Sequence, residues 1–298
     1  MNTLTILTPS FNRAVTLVTC YNSLKNQTDK DFCWLVVDDG SKDSTKQLIE
    51  EFRQRADFQI KYIYKNNGGK HTALNVGISV INTELTIILD SDDFLTNNAV
   101  YTIKQEWKKY RDNDELCGIS YLRGYDERTP IGDIFPHDHM LNNHINCRVN
   151  MEIQGDKAEV YRTECLKEFP FPEVPDEKFL GEGAVWNNMA LKYNMVYINE
   201  IIYICKYLEG GLTKSGITLR IKNPLGGMIN AKSMLSKNFK QKIRIKNAWL
   251  YICYGLFANK DLKFLIKSSG YPLMMISNIP FGFLIYKYWK IKYKIMNI

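Results

Sequence analysis

The chain's seven cysteines include no C-x-x-C pair, and their number is odd. This argues against a disulfide framework and against a cysteine-ligated zinc site, so a reducing cytosol is the expected compartment. The first residues, "TLTILTPSF", lack the basic n-region and small-residue cleavage site of a secretory leader, and export is not expected. Long apolar runs are scarce as well. The best of them, in "YPLMMISNIPFGFLIYKYWKIKYKI", is interrupted by Ser277, Asn278, Pro280 and Gly282 well short of the ~20 residues a spanning helix needs. Internal repeats and low-complexity linkers are missing, and "GGK" at 68–70 lacks the rest of a G-x-x-x-x-G-K-[ST] phosphate loop. Acid is nearly absent from the end of the chain. From Lys237 onward twelve Lys and Arg stand against Asp261, a net +11, while the remainder nets −4. An acidic body carries a basic tail, and the two have different work to do.

What is present suffices for one large domain with an appendage, since 45% of the 298 residues are apolar. Residues 4–11, 32–41, 59–65 and 85–90 read as strands. Residues 14–27, 42–56 and 70–81 between them have helical spacing, the second with Asp43 or Ser44 as N-cap. This alternation predicts an α/β fold with a parallel sheet covered on both faces. Past residue 115 the pattern loosens to short strands such as 117–124 and a helix from about Glu182 to Tyr193. From about Ile221 the chain reads as helical, basic and aromatic. The expected division is a domain over 1–220 and a helical extension over 221–298.

In an open parallel sheet, ligands sit beyond the carboxyl ends of the strands. The polar clusters fall there: Thr8-Pro9-Ser10, Asp38-Asp39-Gly40-Ser41, Asn66 to Lys70, and Asp90-Ser91-Asp92-Asp93. Crowded carboxylates repel one another unless a cation or a partner side chain offsets them. A hard ion such as Mg²⁺ or Mn²⁺, bound with the phosphates of a substrate, suits such a rim. Acids also cap helices and close turns, so the order of clusters on successive strand ends carries more than any single D-x-D.

Together, "TPSFNRAVTLVTCYNSLKNQT", "VVDDGSKDST", "NNGGKHTALNVGI" and "IILDSDD" resemble the family 2 glycosyltransferases, specifically over about residues 3–100, more weakly to about 215, and not in the tail. The resemblance implies a GT-A fold and an inverting, Mn²⁺- or Mg²⁺-dependent enzyme. It would transfer a hexosyl or N-acetylhexosaminyl group from a nucleotide-sugar donor, UDP-linked, to a glycan or lipid-linked acceptor in surface polysaccharide synthesis. It also implies site residues. Asp39 would contact the uracil and Pro9 line the base pocket; Asp90, near the ribose, and Ser91 would bind the donor; Asp92 would hold the metal, with Asp93 a second contact. Lys70 and Asn75 would lie near the donor, their other readings being a solvated lysine and a structural hydrogen-bonding residue.

Many family members carry a Glu-Asp pair whose Asp takes the acceptor proton, whereas here Glu182 is followed by Gly183. Glu182, the only acid in "FLGEGAVWNNMALKY", is the candidate base, its other reading being charge stabilisation of a helix N-terminus. Asp156 in "QGDKAEVYR" is the reserve, or a sugar contact. His137, His139 and His144 lack the partners of a metal site and read as loop histidines touching an acceptor. The glycine-rich 207–216 is either a closing loop or a linker. Basic and aromatic residues interleave in the tail, as on a peripheral protein at an anionic membrane surface, here the inner face of the cell membrane. Nucleic acid is the rival partner but is not expected, because the Met, Ile, Leu and Phe content exceeds what phosphate binding uses; a homo-oligomer contact is the third reading. Two other classes stay open: a nucleotidyltransferase on a similar sheet, and a non-catalytic glycan-binding or scaffold protein, for which Gly183 speaks.

Overall fold

The computed structural model describes residues 3–206 and 212–293. Two compact units result, one from 1–170 and 189–208, the other from 171–188 and 209–298.

In the first unit, β1 (Leu4–Ser10), β2 (Phe32–Asp38), β3 (Gln59–Tyr64) and β4 (Leu85–Ile88) alternate with α1 (Ala14–Lys25), α2 (Thr45–Arg55) and α3 (Lys70–Val80). The strands pair in parallel in the order β3-β2-β1-β4, as the alternation predicts. Leu4, Ile6, Trp34 and Ile87 share a buried cluster with Leu17 and Leu24 of α1 and Ile49 and Phe52 of α2. Leu7 and Val37 meet α3 instead, where a Cβ on Gly77 would lie 2.4 Å from Leu7 Cδ1. Adjacent residues thus bury on opposite faces, which is why β1 and β2 read as continuous apolar runs.

Beyond β4 the sheet is mixed. After β5 (Phe94–Leu95) and α4 (Ala99–Lys108) come β6 (Leu116–Gly124), β7 (Met140–Asn142), β8 (Lys157–Arg162), α5 (Thr163–Glu168) and β9 (Asn194–Ile204). β8 runs antiparallel between β4 and β6, and β9 runs parallel to β6. The carboxyl ends of β6 and β9 therefore come to the same rim as that of β4. β5 and β7 add antiparallel pairings to β9.

The second unit is helical: α6 (Gly183–Met189), α7 (Leu212–Lys222), α8 (Pro224–Ser233), α9 (Gln241–Phe257), α10 (Leu262–Ser268) and α11 (Pro272–Lys292). Met228, Leu235, Tyr251, Ile252, Leu265 and Met275 form its core. Residues 171–188 join these helices, a departure from one boundary near 220. The cause is capping: Glu177 accepts the N–H groups of Leu225 and Gly226 at the start of α8, each at 2.7 Å, and Asn187 Nδ2 donates to Ser233 Oγ at 3.0 Å. α6 stops at Met189, short of the expected Tyr193, because β9 begins at Asn194. α11 continues through Pro280, so the residues that interrupt the apolar run do not break the helix. Asn278 donates to the Met274 carbonyl at 2.8 Å and accepts from Trp249 Nε1 at 2.6 Å. Among the described residues no helix is long and apolar enough to cross a membrane. Residues 207–211 of the glycine-rich segment and Lys294 of the tail lie outside the described residues.

β8 starts on a lysine that is 2% exposed. Lys157 Nζ donates to the carbonyls of Gln154 at 2.9 Å, Gly155 at 3.3 Å and Ile131 at 3.5 Å, tying two loops together. A Cβ on Gly155 would sit 2.0 Å from the Ile131 oxygen, and its φ of 83° suits glycine. Burial pushes the Lys157 ammonium down to about 8 from 10.5, with Arg148 adding to the effect. Between these values the unfolded chain binds more protons than the folded one, so stability should rise with pH through that window. Lys157→Met should remove roughly 1–3 kcal/mol of this rise. Urea midpoints for both proteins, taken below pH 8 and near pH 10.5, test this; parallel trends would refute it.

Candidate active site

The carboxyl ends of β1, β2 and β3 are held by two adjacent acids. Asp38, fully buried, accepts from Ser41 N and Tyr62 OH, each at 2.7 Å. Asp39 takes four donors: Lys65 Nζ at 2.7 Å and Gly68 N at 2.9 Å on one oxygen, Asn67 Nδ2 at 3.0 Å and Gly69 N at 2.7 Å on the other. A carboxylate offers about four lone-pair sites, so a base N–H reaches Asp39 only by displacing a donor. Gly40 has φ 86°, and a Cβ there would lie 2.8 Å from Asn67 N. That close approach explains the glycine after the two acids. The loop after β1 is stapled to the loop after β2 by Asn12 N to Ser41 Oγ and Lys42 N to Asn12 Oδ1, both 2.8 Å. Pro9 sits opposite Val37 beyond the last β1–β4 pair, Leu7 with Ile88, where its missing N–H breaks no ladder to β4.

At the end of β4 the acids have unlike surroundings. Asp90 Oδ1 is 2.6 Å from Lys70 Nζ and its Oδ2 is 3.6 Å from Arg123. Burial raises its affinity for a proton, yet these two cations hold the carboxyl below its ordinary range. Asp93 is 7% exposed, accepting from Tyr203 OH at 2.9 Å and Lys206 N at 3.0 Å. Burial, then Asp90, push it up to about 6. Both Asp93 oxygens thus serve β9 and the residues after it. Arg123 completes the set, 3.9 Å from Asp93, stacked 4.0 Å over the Tyr203 ring and donating to the Lys157 carbonyl at 2.8 Å. Lys70 is an ion-pair partner and not a solvated lysine.

Asp92 differs. It is half-buried, and its ion-pair partner, Arg13, stands 3.9 Å away. Among the described residues no group of three or more His, Cys, Asp or Glu could hold a metal ion by itself. Mg²⁺ and Mn²⁺ sites commonly take one or two carboxylates and complete their shells with phosphate oxygens and water. Asp92 fits that donor set, for an ion that arrives with a diphosphate. Ser91 is buried beside it and Asn75 lies half-buried on α3.

Glu182 belongs to the second unit, where its carbonyl accepts the N–H groups of Val185 at 2.9 Å and Trp186 at 3.2 Å and so opens α6. Asp156 is exposed just before β8. His139 shares a hydrogen bond with Tyr110 OH at 2.9 Å, burial pushes His144 down to about 3, and His137 is exposed, so the three make no joint site. Lys65, Arg123, Tyr203 and Arg13 are the partners of the rim acids that motif reading misses. A lone arginine in the apolar strand "ISYLRG" was the one available signal.

Residues 5–159, more than half of the chain, match the family model described as Glycosyl transferase family 2. The chain is 32% identical over 233 residues to "Glycosyltransferase GlyG" of Streptococcus pneumoniae serotype 4, covering 72% of this chain and 74% of that protein. It is 25% identical over 172 residues to TarS, a poly(ribitol-phosphate) beta-N-acetylglucosaminyltransferase of Staphylococcus aureus, covering 56% of this chain but 29% of that protein. The structure of TarS 1–349 in complex with UDP-GlcNAc superposes with TM-score 0.59 at 18% identity, over 94% of this chain and 89% of that one. The mannosyltransferase PcManGT of Pyrobaculum calidifontis, in complex with GDP-Man and Mn²⁺, gives 0.57 at 15% identity, over 99% and 88%. The two superpositions show the fold, the sequence matches the family. A GT-A sheet with its acids gathered on one rim therefore has its place: the chain belongs to glycosyl transferase family 2 and is a glycosyltransferase.

Proposed function

We propose that this enzyme moves a hexosyl or N-acetylhexosaminyl group, with inversion, from a UDP-linked donor to a hydroxyl of a glycan or lipid-linked glycan during synthesis of a bacterial surface polysaccharide. The observation that carries this reading is the unequal state of the rim acids. Asp38, Asp39, Asp90 and Asp93 are engaged by donors or cations at 2.6–3.0 Å, while the nearest cation to Asp92 stands at 3.9 Å. The UDP-GlcNAc complex of TarS and the Mn²⁺ complex of PcManGT support a nucleotide sugar and a divalent ion.

Asp92 would hold Mn²⁺ or Mg²⁺, and the bound ion supplies charge neutralisation on the leaving diphosphate. Lys70 and Arg13 place two further positive charges beside the D-x-D acids. Asp39 shapes the base side of the site through the loop it ties down. Glu182, with Asp156 in reserve, takes the proton of the acceptor hydroxyl as that oxygen bonds to the anomeric carbon. The old C–O bond breaks in the same displacement, and its electron pair leaves with the diphosphate, which gives inversion. We place the reaction at the inner face of the cell membrane, on a peripheral enzyme. The seven unpaired cysteines support a reducing compartment.

Asp92→Asn should retain the fold, lose metal-dependent UDP binding and transfer about 10²–10³-fold more slowly. Calorimetric titration of UDP with and without Mn²⁺ tests this. Unchanged affinity in the variant would remove Asp92 from the metal.

Glu182→Gln keeps size and most hydrogen bonding but cannot accept a proton. Transfer should fall by about 10²–10⁴-fold with donor affinity unchanged, far beyond the ~0.3–1 kcal/mol of a helix-terminus charge effect. Asp156→Asn, assayed with the same donor and acceptor, is the control. Near-normal transfer in Glu182→Gln and collapse in Asp156→Asn would move the base to Asp156.

A further inference from the structure

The outward side of α11 is mostly apolar, with Ser277 and Lys287 set among its exposed apolar residues. Its inward side is plain from its contacts: Met275 is buried, Gly282 packs on Ile252 so closely that a Cβ would lie 2.6 Å from it, and the Trp289 ring lies 5.7 Å from that of Tyr254. At 100° per residue the opposite side collects Leu273, Ile276, Leu284, Tyr288 and Ile291, all more than half exposed, Leu273 at 82% and Ile291 at 78%. From Leu273 to Ile291 this stripe runs about 27 Å along the helix. Isolated exposed apolar residues are ordinary, but a stripe of this length marks a surface that is covered.

Charge indicates what covers it. Lys287, Lys290 and Lys292 each sit over an aromatic ring one turn earlier: Phe283 at 5.3 Å, Tyr286 at 5.9 Å and Tyr288 at 5.4 Å. α10 adds Lys263 and Lys267 beside exposed Leu262 and Phe264, with Lys260 over the Phe264 ring at 5.5 Å. The one acid in the sequence from Lys237 onward, Asp261, accepts from Phe264 N at 2.6 Å as the N-cap of α10. Rings and aliphatic side chains flanked by lysines match the boundary of a bilayer with anionic headgroups, where apolar groups enter and ammonium groups stay with the phosphates.

We infer that α11 lies flat on an anionic lipid surface, its Leu273 to Ile291 stripe entering the headgroup boundary and its lysines engaging the phosphates. The inference rests on the peripheral location proposed above and supplies its physical basis. A second copy on this face would oppose lysine to lysine, and a nucleic acid would leave the aliphatic stripe unused.

The test uses the full chain and flotation with vesicles of phosphatidylcholine, alone or mixed with phosphatidylglycerol. Wild type should float with the mixed vesicles and lose much of that binding in high salt. The triple variant Leu273→Ser, Leu284→Ser, Ile291→Ser should lose flotation on both. Lys287→Gln, Lys290→Gln, Lys292→Gln should weaken binding to the mixed vesicles roughly 10–100-fold and abolish the preference for them. The substituted side chains have no part in the chemistry, so donor hydrolysis should stay at wild-type rate and confirm that both variants fold. Vesicle binding that is absent in wild type, or unaltered in the serine variant, overturns the inference. So does light scattering that shows a wild-type dimer and a monomeric serine variant, or tighter binding to duplex DNA than to the mixed vesicles. Vesicle binding retained by Asp92→Asn despite lost turnover separates this surface from the proposed chemistry.

Discussion

Each acid at the carboxyl rim of the sheet is tolerable because a distant part of the chain brings it a cation or a set of donors, and the first unit is arranged around that compensation. A buried carboxylate without partners costs several kcal/mol. Asp39 is met by Lys65 from just past the end of β3 and by the amides of Gly68 and Gly69 just before α3. Asp90 and Asp93 are met by Arg123 from β6, and Asp93 by Tyr203 and the Lys206 amide from β9. The strand order is what makes this geometry available. With β8 inserted antiparallel, β6 and β9 run alongside β4 in its own direction and deliver Arg123 and Tyr203 to its end.

The compensation is unequal, and the inequality sorts the acids. One guanidinium serves two carboxylates, with Lys70 siding with Asp90 and holding its carboxyl below the ordinary range, while burial and then the charge of Asp90 push Asp93 up to about 6. Like charges that share a cation separate in this way. Asp93 then serves as an anchor between β4 and β9, and Asp90 as the seat of two cations. Asp92 is left with the weakest hold, its cation partner 3.9 Å away, which is why the proposed metal role falls to it.

The parallel half of the fold was legible because it is local. Apolar runs with polar ends fix β1 to β4, helical spacing fixes α1 to α3, and each motif sits where the run ends. The antiparallel half was not. β4 pairs with β8 across some seventy residues, Leu85 with Arg162, and short strands of that kind carry little periodicity of their own. The same limit hid the partners of the acids: Arg123 and Tyr203 are ordinary strand residues until the sheet order places them. The assignment of 171–188 to the helical unit was equally invisible, since it depends on Glu177 capping α8 from 48 residues away. Local reading also could not show what engages Asp39, because its four donors include two glycine amides that no side-chain motif displays.

Gly183 shows how a departure from a motif can be weighed physically. A glycine is dictated by structure when its φ is positive or when a Cβ would strike backbone, as at Gly40 and Gly155. Neither holds at Gly183, whose φ is not in the positive range and where a Cβ would meet a single atom, Asn230 Oδ1 at 3.4 Å. The backbone would accept a side chain there, so the loss of an Asp is a chemical change and not a steric necessity. The acid that remains on this turn is Glu182, one residue earlier, held at the start of α6 by two hydrogen bonds to its carbonyl. Its longer side chain has more reach than an aspartate would. An acid thus remains on this turn one position earlier, which is what the proposal of Glu182 as the base builds on.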